Sequence, residues 1–190
     1  GWSEVLRDLK ARGLVAPTLV IGDGHLGIWA GLLTVYPDAK EQRCWNHRVL
    51  NVQAKLPKRM QPEARRRLRE IAYAETQAAC EEMRDRYVTD LRSTDQNSAA
   101  ETVLRDWEDF ITFYRYPKEH WIHLRTSNPM ESIFGGVRLR TDAARRPRRR
   151  DNALYLVFKV VERLSGSWRT LNGGTNLMAL VLAGCRFKDG

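Results

Sequence analysis

Three consecutive apolar residues, Leu19-Val20-Ile21, lie between Pro17 and the tripeptide Gly22-Asp23-Gly24. A short apolar run rich in β-branching and closed by turn formers reads as a buried strand. Helical spacing flanks it on both sides. Before it, Val5, Leu6 and Leu9 share a face, with Ser3 as a cap and Gly13 as a stop. After it, Ile28, Leu32 and Val35 share a stripe from about His25 to Tyr36. Pro37-Asp38 then turns the chain into a second candidate strand, Ala39 to Trp45. The order helix, strand, helix, strand belongs to an α/β sheet. Asp23 follows the first strand directly. A carboxylate there is held by a rigid scaffold at the open end of a sheet, where metal-holding acids are often placed. The simpler alternative is that Asp23 caps a turn or a helix.

From His47 onward the pattern predicts helices only, so the expected class is α/β but mostly helical. Val49, Val52 and Leu56 mark one helix, stopped by Pro57. A long helix is expected from Glu63 to about Thr89, a polar loop over Ser93–Ser98, and another helix from Glu101 to Tyr114. Lys118 to Leu124 forms a short amphipathic turn. In Ser127-Asn128-Pro129-Met130-Glu131, Asn128 suits a helix cap, with Pro129 first and Glu131 third in the helix. Asn152 to Leu164 is a further, aromatic-rich helix.

Charge is unevenly distributed along this basic chain of net charge +9. Residues 40–69 hold 10 Lys/Arg against 2 Asp/Glu, residues 70–109 hold 4 against 11, and residues 136–150 hold 7 against 1. Two cationic blocks flanking an acidic one suit a polyanionic partner, and nucleic acid is the commonest. Arg145, Arg146, Arg148, Arg149 and Arg150 are the candidate phosphate-binding run. No apolar run approaches a membrane span. The three cysteines, Cys44, Cys80 and Cys185, form no disulfide framework, which points to a reducing, cytoplasmic setting.

Four stretches together resemble a known family: Ile21-Gly-Asp-Gly-His-Leu-Gly-Ile-Trp29, Gln42-Arg-Cys-Trp-Asn-His47, Tyr116-Pro-Lys-Glu-His-Trp121 and His123-Leu-Arg-Thr-Ser-Asn-Pro-Met-Glu-Ser132. They are similar to Mutator-type bacterial insertion-sequence transposases, over nearly the whole chain. The resemblance implies the C-terminal part of a ribonuclease H-like domain, its last two strands carrying a helical insertion. It matches Asp23 to the second Asp, and Glu131 to the Glu, of an Asp-Asp-Glu set that binds Mg²⁺ or Mn²⁺. It matches Cys44 and His47 to a Cys-x-x-His signature. The implied division is 1–47 for the end of the α/β core, 48–115 for the insertion, 116–164 for the Glu-bearing helix, arginine run and following helix, and 165–190 for a tail.

The resemblance also implies that the first three strands, the first catalytic Asp and a DNA-binding region lie outside these residues. Only 22 residues precede Asp23, and they hold no earlier strand. The chain therefore reads as a transposase piece, inactive by itself. The complete protein would cleave and join DNA at transposon ends and target, as a homo-oligomer and away from membranes. Two Mg²⁺ ions can stabilise the attacking and leaving oxygens of such a displacement at phosphorus, and oxygen ligands suit them. On that basis the carboxylate carbons of Asp23 and Glu131 are expected within roughly 8 Å of each other.

Two rival readings remain at this level. One is a non-catalytic basic module that holds phosphates through the arginine run and the 40–69 block. The other is a zinc domain, disfavoured because one Cys-x-x-His pair supplies two ligands only. A structural or DNA-proximal role for Cys44 and His47 is expected instead. His120 and His123 are expected in surface or capping roles, and Trp121 and Trp168 in the core.

Overall fold

Leu19–Gly22 forms strand β1 and pairs in parallel with β2, Lys40–Arg43, so that Leu19 faces Lys40 and Gly22 faces Arg43. This computed structural model describes residues 1–143, 149–168 and 170–190. Parallel neighbours need a crossover, and helix α2, Leu26–Val35, supplies it. Helix α1, Trp2–Ala11, lies against α2. Gly31 permits the close approach, since a Cβ there would stand 3.1 Å from the backbone nitrogen of Ser3. Trp29, Leu32, Val35 and Tyr36 fill the small core between these elements, with Leu6, Val20, Ile28 and Ala39 packed around them. Among the described residues the sheet has these two strands, and the far edge of β1 faces no third.

A larger core is built by helices α3 (Trp45–Gln53), α4 (Gln61–Ala72), α5 (Gln77–Ser93), α6 (Asn97–Leu104) and α7 (Trp121–Leu124). Trp45 is buried in it, edge-on to Trp107 at 5.6 Å and to Phe110 at 5.5 Å. Phe113 and Trp121 make a further edge-to-face pair at 5.5 Å. Such pairs contribute about 0.5–1.5 kcal/mol each beyond their burial. The molecule is thus α/β and mostly helical.

Several local expectations are corrected. The second strand stops at Arg43, and Trp45 already begins α3. Helix α1 begins at Trp2, which puts Ser3 inside it rather than at its cap. The long helix expected from Glu63 to Thr89 is two helices. Tyr114 donates its hydroxyl to the Ala74 carbonyl at 2.9 Å, and the Thr76 hydroxyl caps α5 by accepting from the Ala79 amide at 3.2 Å. The loop expected over Ser93–Ser98 is shorter, because α5 runs to Ser93 and α6 starts at Asn97. The helix expected from Glu101 to Tyr114 ends at Leu104. Asp106 adopts a left-handed backbone with φ of 52°, which Asp tolerates, and 3₁₀ turns follow at Trp107–Phe110 and Thr112–Arg115. Val103, Trp107 and Phe110 do reach the core, but from separate turns.

Helices α8 (Asn128–Ala143) and α9 (Arg150–Ser165) pack on each other beyond this core. Gly136 faces Leu164, where a Cβ would come within 3.0 Å of a side-chain methyl. The last helix, α10, spans Gly174–Leu182, and the tail returns to α5, where the Gln77 amide donates to the Asp189 carboxylate at 2.7 Å. His120 is buried rather than at the surface and stands at the cap position of α7 without a side-chain cap bond, and Trp168 is 54% exposed rather than in the core. Trp121 is buried as expected.

Candidate functional site

The residues from Gln42 to Asn46 tie the sheet to distant parts of the chain. The Gln42 amide is fully buried. It donates to the Phe110 carbonyl at 3.0 Å and accepts from the Phe113 amide at 2.8 Å, joining β2 to the turns of the larger core. Arg43 pairs with Asp106 at 2.6 Å and lies 3.4 Å from Asp109. Burial pushes the Asp109 carboxyl up, and the Arg43 charge partly opposes this. Trp45 donates its indole N–H to the Phe110 carbonyl at 2.9 Å. Asn46 donates to the Asn128 side-chain oxygen at 2.6 Å. Further along, Arg48 lies 3.9 Å over the Phe110 ring, and burial pulls its guanidinium down to about 10.

Cys44 connects the two carboxylate-bearing segments. Its amide donates to the Gly22 carbonyl at 2.8 Å, immediately before Asp23. Its Sγ accepts from both the amide and the hydroxyl of Ser127, each at 3.3 Å. The Ser127 hydroxyl also lies 2.9 Å from a carboxylate oxygen of Glu131, which it can donate to instead. Cys44 is 1% exposed, while Asp23 and Glu131 both reach solvent.

Helix α8 therefore begins on a cap different from the expected one. The amides of Met130 and Glu131 donate to the Ser127 carbonyl, at 3.0 and 3.1 Å. A carbonyl that accepts the first helical bonds marks the cap, so Ser127 takes that role and Asn128 starts the helix. Just upstream, the Arg125 carbonyl accepts from the Trp45 amide at 3.0 Å. The buried Arg125 guanidinium lies among Tyr73, Phe113 and Trp121, 4.5 to 5.4 Å from the three ring centroids. Burial lowers its proton affinity below the usual guanidinium range.

Asp23 stands on the turn between β1 and α2. One carboxylate oxygen accepts from the His25 amide at 3.0 Å, and its carbonyl accepts from the Trp29 indole at 3.1 Å. This is the turn-capping geometry of the simpler reading, and it also holds the carboxylate in a fixed place. His25 in turn caps α2 by accepting from the Gly27 amide at 3.2 Å. His47 lines both a hollow beside Gly24 and a cleft beside Glu131, with Nδ1 buried and unpaired among the described residues. Among those residues no cluster of three or more His, Cys, Asp or Glu is gathered. Arg149 and Arg150 are exposed at the start of α9, whereas Arg145, Arg146 and Arg148 lie outside the described residues.

Cys44→Ala is expected to leave the half-buried Ser127 amide without its acceptor. That costs roughly 1–3 kcal/mol. Hydrogen exchange at Ser127 should accelerate accordingly, while Cys44→Ser should restore part of the protection. Unchanged exchange in Cys44→Ala would show that the sulfur does not hold the cap.

A parallel βαβ unit with an acidic turn, tied through the amide and the sulfur of one cysteine to the start of an acid-bearing helix, defines the class as an α/β protein. Residues 1–170 match the family described as transposase, Mutator family, and the chain belongs to that family. It is 41% identical over 189 residues to the transposase for insertion sequence element IS6120 of Mycolicibacterium smegmatis, covering all of this chain and 58% of the relative. It is 38% identical over 190 residues to the transposase for IST2 of Acidithiobacillus ferrooxidans, covering 64% of that protein. The transposase for IS1081 of Mycobacterium tuberculosis is 32% identical over 168 residues, or 88% of this chain. The chain thus spans about 58 to 64% of the length of the first two relatives.

Sequence reasoning singled out Asp23, Cys44, His47 and Glu131 but missed Ser127, Arg125 and the Asn46–Asn128 pair. A serine directly before Asn-Pro was a readable cap signal. Nothing local marked Arg125, whose surroundings come from three separate segments.

Proposed function

We propose that these residues belong to the catalytic domain of an insertion-sequence transposase that cleaves and joins DNA, and that Asp23 and Glu131 are two of its metal-binding carboxylates. The observation that carries the reading is the connection of both acidic segments to Cys44 in a chain of this family. The domain would be ribonuclease H-like, with β1 and β2 as its last strands and the helices after Cys44 as an insertion. Support for that comes from the parallel βαβ unit and from the far edge of β1, which faces no other strand among the described residues. Transposon ends and target DNA are the proposed partners, and the complete protein would act as a homo-oligomer. Phe134, Leu139, Leu154, Tyr155 and Phe158, all more than half exposed on α8 and α9, favour an assembled state. No helix among the described residues is long and apolar enough to cross a membrane.

The donor chemistry suits Mg²⁺ or Mn²⁺. Both acids are exposed oxygen donors, and Mg²⁺ is commonly held by one or two carboxylates together with phosphate and water oxygens. Such ions, when bound, would stabilise the charge that develops on the attacking and leaving oxygens. Within the chain, the His25 amide orients Asp23, Ser127 orients Glu131, and Cys44 keeps the two turns in register. A further carboxylate would come from outside these residues. The test is Mg²⁺-dependent cleavage of a transposon-end substrate by a polypeptide completed with the upstream segment of a relative. Cleavage should require both Asp23 and Glu131.

DNA binding should be salt-sensitive and indifferent to sequence, through Arg145, Arg146, Arg148, Arg149 and Arg150. Changing all five to Ala should lower the log–log salt slope on duplex DNA by about 0.9 for each phosphate that is no longer neutralised. A titration in which affinity and slope are both unchanged would reduce the run to a solvated segment.

A further inference from the structure

Between α3, α4 and the start of α8 lies a cleft of about 440 Å³, one wall of which includes Glu131. That is within the range of small-ligand sites, about 300–1,000 Å³. The α4 part of the lining is cationic. Arg65 and Arg69 both line it, four residues apart and so on one face of α4. Their neighbours Arg66 and Arg67 are neutralised by Glu63, Glu70 and Asp90. Among the described residues neither Arg65 nor Arg69 has a carboxylate within ion-pair distance. Like charges at this spacing repel mildly in the free protein, and an external anion would relieve the repulsion.

The rest of the lining suits a base. Tyr73 follows the last turn of α4 and is 52% exposed, with the Arg125 guanidinium 4.5 Å from its ring centroid. The bond from Asn46 to Asn128 leaves an amide oxygen on Asn46 and an amide nitrogen on Asn128 for a base edge. We propose that this cleft binds one unstacked nucleotide of single-stranded DNA, its phosphate against Arg65 and Arg69 and its base on Tyr73. A base inside a duplex is stacked on both faces and has none to offer the ring. The inference rests on the reading of this chain as a DNA-handling one and adds the strand state of the ligand.

The test is fluorescence anisotropy with the 190-residue chain in EDTA, which removes any dependence on bound metal. The probes are a labelled 12-nucleotide thymidine oligomer, the same backbone without bases, and a blunt duplex. Base–aromatic stacking contributes enough that Tyr73→Ala should weaken the thymidine oligomer roughly 5- to 150-fold. It should leave the base-less backbone and the duplex unchanged, and Tyr73→Phe should bind like the parent. Arg65→Ala/Arg69→Ala should weaken both single strands and lower the salt slope by about 0.7 for each phosphate left without its arginine. Circular dichroism checks that each variant is folded. If Tyr73→Ala weakens every probe equally, or none, the nucleotide site is overturned while DNA handling stands. If the parent chain binds none of the probes, DNA handling by this chain falls together with the cleft.

Discussion

Asp23→Ala and Glu131→Ala are each expected to abolish Mg²⁺-dependent cleavage of a transposon-end substrate, measured in a polypeptide that joins these residues to the upstream segment of a full-length relative. The expected loss is roughly a thousandfold or more, because members of a site that acts as a unit are not individually dispensable. Both side chains are exposed and neither fills a core, so the variants should fold like the parent. If, as proposed, a further carboxylate is supplied from outside these residues, the 190-residue chain assayed alone should show no cleavage. It should also be poorly soluble. Leu19 to Ile21 lie on a strand whose outer edge faces no other strand among the described residues, and an apolar edge of that kind recruits other chains. Supplying the upstream segment, fused or in trans, should improve both properties. Cleavage by the chain alone that survives Asp23→Ala would reject the site. Cleavage by the chain alone that requires Asp23 would mean that another carboxylate of this chain completes the set.

The largest expected loss of stability is at Trp45. This residue is 2% exposed, edge-on to Trp107 and Phe110, and bonded through its indole N–H to the Phe110 carbonyl. Removing a buried Trp side chain costs about 3–5 kcal/mol through lost burial and the cavity left behind. For a chain of this size that corresponds to a fall in midpoint temperature of about 6–20 °C. Trp45→Phe keeps much of the packing and gives up the hydrogen bond, a loss of about 1 kcal/mol. The Phe110 carbonyl remains paired in that variant, because Gln42 also donates to it. Trp45→Ala should further raise hydrogen exchange at Ser127, since Trp45 lies between Cys44 and Asn46, both of which hold the start of α8. Urea denaturation resolves the two variants. A loss below about 1 kcal/mol in Trp45→Ala would mean that the packing of Trp45 does not hold the larger core together.

The parts legible in the sequence are those that short-range chemistry controls. Three apolar residues followed by Gly-Asp-Gly were enough to place β1, and apolar spacing was enough to place α2. The family motifs were legible as strings, which is how Asp23, Cys44, His47 and Glu131 could be named as candidates. What those strings do was not legible. Cys44 and Ser127 are 83 positions apart, Gln42 and Phe113 are 71 apart, and neither partner marks the other locally. The helix breaks were missed for a related reason. Helical spacing continues through Ala74 and Asp106, but Tyr114 takes the Ala74 carbonyl and Arg43 pairs with Asp106 from distant segments. Helix propensity differs by only a few tenths of a kcal/mol between ordinary residues, and one buried hydrogen bond outweighs it. Periodicity could therefore name the apolar residues of the larger core, while interactions across the chain decided which turn carries each of them and which side chains meet Cys44.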